Sequence, residues 1–301
     1  MKPAKRKPID ARGQRGAALF LILLLILVSG GLVFVSRLKS AETELAAGRK
    51  TAAALAEAKQ ALLGYAALDP GGNVTNPGRL PCPDQDNDGD AQGAVCARPP
   101  VGWLPWRTLT LDERRDGQGE KLWLLVDPSF LSGNAPMNST VQPTLRLNGQ
   151  PVVAILFSPG PPLSRLGQTR SANPPGLTNG FYGNYLEGFD GNSSVTTAPL
   201  SDTYNDRVLA ITPRELFTGV TQRMARELAL SNAAPYPVPP PGDPPLSQLA
   251  KPSVWTANNW DAAVDPAYTV VTPSVIQLKF QNCGIVYSIR PEGIQRSANT
   301  C

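Results

Sequence analysis

Histidine is absent from all 301 residues. With it go the Ser-His-Asp and Cys-His triads, imidazole general bases and imidazole metal ligands. Cysteine is scarce: Cys82, Cys96, Cys283 and Cys301 are the four, and none sits in a Cys-x-x-Cys, which argues against a zinc ribbon or a thioredoxin-type motif. A nucleophile motif and a phosphate-cradling glycine loop are missing too, and acid pairs such as Asp202 with Asp206 prove nothing without a pocket. Charged residues make up only 17% of the chain. The positive excess is not spread over it: Lys2, Lys5, Arg6, Lys7, Arg12 and Arg15 stand against Asp10, a net of +5 in residues 1–16, which leaves −1 for the rest of a chain of net +4. A broad basic face for nucleic acid has no support, and no nucleic-acid partner is expected. What is plentiful is Gly, at 27, and Pro, at 31, beside 42% hydrophobic residues. That mixture reads as a loop-rich globular domain with β-structure rather than a helical bundle or a disordered chain.

Ala17 to Val35 is a run of 19 residues without a charge. As a helix it spans ~28 Å, close to the ~30 Å hydrocarbon core of a bilayer. The basic residues before it stay in the cytoplasm by the positive-inside rule, placing the C-terminal bulk outside. A cleaved secretory signal fits less well: the run is long, and Arg37 and Lys39 crowd the one small-residue site at Ser40-Ala41. Beyond the run, Leu38, Leu45, Ala52, Leu55, Leu62 and Ala66 recur at three-, four- and seven-residue steps, which predicts one helix from about Ala17 to Ala67. Pro70 with Gly71-Gly72 stops it. In an exported chain the two separated cysteine pairs read as two disulfides, Cys82 with Cys96 and Cys283 with Cys301; free buried thiols are the competing reading.

Arg15-Gly16-Ala17-Ala18-Leu19-Phe20 resembles the N-terminus of a type IV prepilin, whose short basic leader ends in Gly. The resemblance implies that a prepilin peptidase cuts between Gly16 and Ala17. Family members more often begin with Phe or Met, and most have Glu at the fifth mature position, where this chain has Leu21. In the family that carboxylate meets a neighbour's terminal amine, so its absence points to a minor or tip component. Further along, Ala58-Lys59-Gln60-Ala61-Leu62-Leu63-Gly64-Tyr65-Ala66, Gly78-Arg79-Leu80-Pro81-Cys82-Pro83-Asp84, Gly102-Trp103-Leu104-Pro105-Trp106-Arg107-Thr108-Leu109, Asp116-Gly117-Gln118-Gly119 and Asn205-Asp206-Arg207-Val208-Leu209-Ala210-Ile211-Thr212 are similar to segments of large minor-pilin-like bacterial proteins. The resemblance implies an α+β fold: a long N-terminal transmembrane-plus-amphipathic helix packed on an antiparallel β-sheet, loop-rich and disulfide-stapled. It also implies a single-pass protein of the bacterial inner membrane, N-terminus cytoplasmic and C-terminal domain periplasmic or on a surface filament, with membrane lipid and other pilin or pseudopilin subunits as partners and no enzymatic activity.

The expected organisation is a basic leader at 1–16, a transmembrane helix at 17–35, an amphipathic helix at 36–69, a globular domain at 70–234, a proline-rich connector at 235–245 and a C-terminal β segment at 246–301. Strand-like runs lie at Leu122–Val126, Val152–Phe157, Val208–Thr212, Val275–Phe280 and Ile285–Ile289, with a hairpin turn at Gln281-Asn282-Cys283-Gly284 and the last strands expected to join the main sheet. Thr212-Pro213-Arg214-Glu215 carries an N-cap, a first-turn proline and a capping-box glutamate, predicting a helix from Pro213 to about Leu230. The seven prolines between Pro235 and Pro245 read as a stiff extended spacer.

The sharpest constellation is Asp84-x-Asp86-x-Asp88-Gly89-Asp90, inside the loop that Cys82 and Cys96 would close. Alternating carboxylates at this spacing open an EF-hand-like loop and make calcium the candidate cation, with no other cofactor expected. The twelfth position is Val95, so further ligands would come from backbone, water, Asp112, Glu113 or Asp116; a solvated turn is the plain alternative. Trp103, Trp106 and Trp123 could form a sugar-binding shelf, though core packing is the default. Three functions stay open at this level: a minor pilin or pseudopilin in a type IV pilus or type II secretion filament, a non-polymerising single-span envelope protein with an extracytoplasmic binding domain, and an anchored carbohydrate hydrolase using acidic pairs.

Overall fold

The computed structural model describes the backbone of residues 12–68, 77–93, 96–131, 133, 135–170, 181–281 and 284–297; within the first helix the side chains of 12–19 and 28–41 lie outside that description. The chain divides into two compact units, Met1–Arg49 and Lys50–Cys301.

Helix α1 runs Arg12–Leu68 and so begins before the expected cleavage bond between Gly16 and Ala17, whose side chains are outside the described residues. In the first unit its described apolar stretch is Phe20–Leu27, eight consecutive side chains that are all exposed. Among the described residues no helix is long and apolar enough to cross a membrane, and most of the expected span Ala17–Val35 falls outside them.

In the second unit α1 buries Thr51, Ala54, Leu55, Ala58, Leu62 and Ala66. These positions follow the three- and four-residue steps of an α-helix face. The expected stripe is corrected at two places: Leu45 is exposed in the first unit, and Ala52 is exposed where Ala54 and Ala58 are buried. Seven-residue steps drift off the face of a 3.6-residue helix, and small alanines let the helix approach its neighbours closely.

Around this helix the architecture is α+β. Strands β1 (Val101–Trp103), β2 (Trp123–Val126), β3 (Arg146–Leu147), β4 (Gln150–Pro151), β5 (Ala154–Ser158), β6 (Ser194–Val195) and β7 (Arg207–Ile211) precede helix α2 (Pro213–Leu230). A short helix α3 (Ser253–Ala257) and strands β8 (Val270–Val271), β9 (Ile276–Lys279), β10 (Val286–Arg290) and β11 (Gly293–Arg296) follow. The main sheet is antiparallel in the order β1-β2-β5-β7, with Leu124 opposite Leu156 and Leu156 opposite Leu209. Alternation along the strands splits its side chains between two layers. Leu124, Val126, Ala154, Leu156 and Ile211 share one core with the α1 face and with Leu216, Phe217, Val220, Met224 and Leu228 of α2. Trp123, Leu125, Ile155 and Phe157 share another with Leu145, Val152, Tyr185, Leu186 and Phe189. Burial on both faces is why β2 and β5 read as unbroken apolar runs.

The cap of α2 is as the sequence predicts: the Thr212 hydroxyl accepts from the Glu215 N–H while the Glu215 carboxylate accepts from the Thr212 N–H at 2.9 Å. Glu215 also receives Lys59 Nζ at 2.6 Å, and the same ammonium donates to the Ala210 carbonyl at 2.8 Å, tying α1 to β7 and α2. Burial opposes the Glu215 charge, but these donors hold its pKa below the ordinary value.

Two expectations on the C-terminal region are corrected. The last strands do not join the main sheet; they form a separate antiparallel sheet, β11-β10-β9-β8, whose Ile276, Leu278, Tyr287 and Ile289 enter the core on the α2 side. The proline-rich stretch is not a free spacer, since Tyr236 is buried with its N–H on the Pro273 carbonyl at 2.9 Å, and Leu246 and Leu249 are core residues. Cys82 and Cys96 form a disulfide. Cys283 and Cys301, and with them Asn282 of the turn expected at 281–284, lie outside the described residues.

Candidate functional site

Three regions collect polar chemistry. The first is the loop closed by Cys82–Cys96. Asp84 is buried, and its segment runs beside β1: the Asp84 N–H donates to the Trp103 carbonyl at 3.0 Å and Trp103 N–H returns the bond at 2.9 Å. Its carboxylate gathers the turn that follows, with Oδ1 accepting from the Asn87 N–H at 2.6 Å and Asp86 N–H at 3.2 Å, and Oδ2 from Gly89 N–H at 2.8 Å. Burial raises the Asp84 pKa against these bonds. Asn87 and Gly89 both have positive φ, and a side chain at Gly89 would strike the Trp106 ring.

The structure brings together carboxylate oxygens of Asp84, Asp86 and Asp88 within 4.8 Å. Asp90 is not one of the three: its N–H bonds Asp88 and its carboxylate faces Arg107 at 3.8 Å. The proposed auxiliary ligands also go elsewhere. Asp116 is fully buried, with Oδ1 accepting from the Gln118 and Glu120 N–H groups and Oδ2 from the Ser158 hydroxyl at 2.8 Å. Glu113 pairs with Arg115 and Lys121, Asp112 faces Arg114, and Lys121 Nζ also reaches Asn87 at 2.7 Å. Three carboxylates could hold a cation, and the backbone N–H groups on the Asp84 oxygens fix the buried carboxylate while leaving each oxygen a second lone pair.

Core packing, the default expectation for the tryptophans, holds for two of the three: Trp103 and Trp123 are buried with ring centroids 5.0 Å apart, and Trp123 meets Tyr185 at 4.6 Å. Trp106 alone is half-buried, under Arg107.

The second region was not legible in sequence. Asp206 was paired by sequence proximity with Asp202, but Asp202 bonds Arg165 on the surface while Asp206 is buried. Its neighbour is Glu187, and the Gly188 N–H donates to Asp206 Oδ2 at 3.2 Å. Glu187 in turn accepts from Gln168 Nε2 at 2.6 Å and Asn205 N–H at 3.1 Å. Gln168 Oε1 takes Arg170 at 3.2 Å; Arg170 also donates to Gly160 and Asn184 carbonyls, lies over the Tyr185 ring at 4.5 Å and approaches Glu120 at 3.4 Å. One guanidinium thus meets Glu120 and acts on the buried Asp206. Burial first, and the Glu187 charge second, push the Asp206 pKa up to about 8. Burial and Asp206 together raise Tyr204 to about 12.

The third region is a cavity of about 640 Å³ between the end of α2, residues 232–236 and the β10–β11 hairpin. Arg226, Arg290 and Arg296 line it without a carboxylate.

Among the described residues of these regions, no arrangement joins a nucleophile to a base. No protein-family model, curated protein or solved structure matches the chain.

Proposed function

We propose that the chain is a minor pilin or pseudopilin subunit, anchored in the bacterial inner membrane by the N-terminal part of α1 and built into a type IV pilus or type II secretion filament. It is cut after Gly16 and works by assembly rather than catalysis. The observation that carries the reading is the run Phe20–Leu27, whose eight consecutive apolar side chains are 47–68% exposed. Taking such a stripe out of water is worth on the order of 10 kcal/mol, so lipid or neighbouring helices must cover it. The uncharged sequence around it, Ala17–Val35, is long enough to do so in a bilayer. The second unit supports an extracytoplasmic setting through its Cys82–Cys96 disulfide, a bond that persists in oxidising compartments. A helix end buried under an antiparallel sheet supports the pilin-like likeness on which the sequence motifs rest.

The test is intact mass of the chain expressed in a bacterium that has a prepilin peptidase, with cell fractions separated and with and without reductant. The expected result is a membrane-fraction species lacking residues 1–16 that contains two disulfides. An intact leader in the membrane fraction would instead favour the non-polymerising envelope protein. Recovery from the cytosol with four free thiols would sink both.

A further inference from the structure

We infer that the cavity at the end of α2 is a binding site for a small ligand bearing an oxyanion, a carboxylate or a phosphate. The cavity is large enough for such a molecule, at about 640 Å³. Its walls come from three elements far apart in sequence: Arg226 from α2, Arg290 from β10 and Arg296 from β11. The chain beyond residue 16 has a net charge of −1, so three arginines on one cavity with no acid in its lining are a local concentration and not a reflection of the average. Arg226 has no hydrogen bond or ion pair among the described residues. Arg290 has only a long contact with Glu292, at 3.8 Å, and Glu292 stands outside the lining.

Like charges lining one cavity repel, and each guanidinium is a planar fork whose N–H donors match a carboxylate or phosphate two at a time. An anion relieves the repulsion and fills the forks of Arg226 and Arg290. The rest of the wall suits a ligand with an apolar body: Tyr236 and Tyr287 supply buried aromatic surface, and Asn232 supplies an amide. The walls are rigid, because Tyr287 is fully buried with its hydroxyl 3.1 Å from Thr221 Oγ1, and β10 and β11 pair from Tyr287–Arg296 to Arg290–Gly293. The site is therefore formed before the ligand arrives. This inference does not depend on how the chain is anchored.

The test uses the full chain in a neutral detergent, titrated with inorganic phosphate and separately with succinate at constant ionic strength, binding being read by calorimetry and by thermal shift. Saturable binding of either probe is expected, and the preferred one identifies the oxyanion. Arg226→Ala with Arg290→Ala should weaken it by ~10-fold or more per arginine removed. Both side chains are exposed, so circular dichroism and unliganded stability should stay unchanged. Arg226→Lys, which keeps the charge and loses the fork, should fall between. Binding that never saturates with either probe, or that is equally strong in the double variant, overturns the inference.

Discussion

Asp206 gives the most direct test of the buried network. In the unfolded chain its carboxyl titrates near 3.8, and in the folded protein burial and Glu187 move it to about 8. Between those values the native state holds one proton that the unfolded state has released. Stability is therefore greatest at low pH within the window and is lost as pH rises through it, at ~1.4 kcal/mol per unit. From pH 5 to pH 7 the loss is ~2.7 kcal/mol, a large share of the ~5–15 kcal/mol by which a domain is stable. The extra proton sits on Asp206, whose ionisation burial and the Glu187 charge oppose and the Arg170 charge favours. Asp206→Asn stays neutral at every pH and keeps one oxygen for the Gly188 N–H. Denaturant unfolding followed by tryptophan fluorescence, at half-unit steps from pH 5 to 8, should show wild type losing stability while the variant holds nearly level and becomes the more stable above neutrality. Glu187→Gln should flatten the profile in the same sense, by removing the charge that resists Asp206 ionisation. Parallel profiles for wild type and Asp206→Asn would refute the assignment of the proton to Asp206.

Two further outcomes follow from the packing. Thr212→Ala removes the hydroxyl that accepts from Glu215 N–H and should cost ~1 kcal/mol by denaturant titration, a loss that Thr212→Ser largely restores. Gly102→Ala should cost ~1–3 kcal/mol, because its Cβ would fall 2.3 Å from the Asp84 carbonyl oxygen, a backbone atom pinned by its own bond to Trp103; an unchanged midpoint would mean that β1 and the Asp84 segment lie further apart.

The legible parts of the fold are those whose signal is local. Apolar runs of β-branched and aromatic residues announce β2, β5, β7, β9 and β10 within a residue or two at each end. The cap, proline and glutamate at Thr212–Glu215 announce α2 because each satisfies an N–H of the first turn. Strand β1, the two-residue strands β3, β4, β6 and β8, and the edge strand β11 were not read. Residues as short or as polar as Arg146–Leu147 and Gly293–Arg296 become strands only because a partner lies alongside, which is a tertiary cause. The pairing of sheets is of the same kind. Nothing local to Val275–Ile289 distinguishes a strand of the main sheet from a strand of a second one, and the choice is made by packing on α2, whose buried residues share one core with both sheets.

The candidate site was legible in three of its four carboxylates, and the rest was hidden for a chemical reason. Asp84, Asp116, Asp127 and Asp206 are all buried, and each carboxylate accepts backbone N–H groups. Asp127 shows the pattern plainly: Oδ1 takes Ser129 N–H, while Oδ2 takes the N–H groups of Thr144 and Leu145, stitching two loops that are far apart in sequence. A chain with many prolines and glycines makes few regular ladders, so its turns leave N–H groups that need buried acceptors. Aspartate is short, rigid and twice an acceptor, which also describes a calcium ligand. Asp-x-Asp-x-Asp-Gly is the same string for both uses, and in the structure Asp84 serves the first by accepting the N–H groups of Asn87 and Gly89 while its carboxylate stands with those of Asp86 and Asp88. Asp206 departs from its three counterparts in having a second carboxylate against it, and sequence hides that too, since Glu187 is brought in by the excursion between β5 and β7. The consequence is that the segments quoted for the family likeness, around Asp84, Asp116 and Asp206, encode how this fold holds its loops. A protein sharing those segments would share the loop architecture without needing to share a ligand.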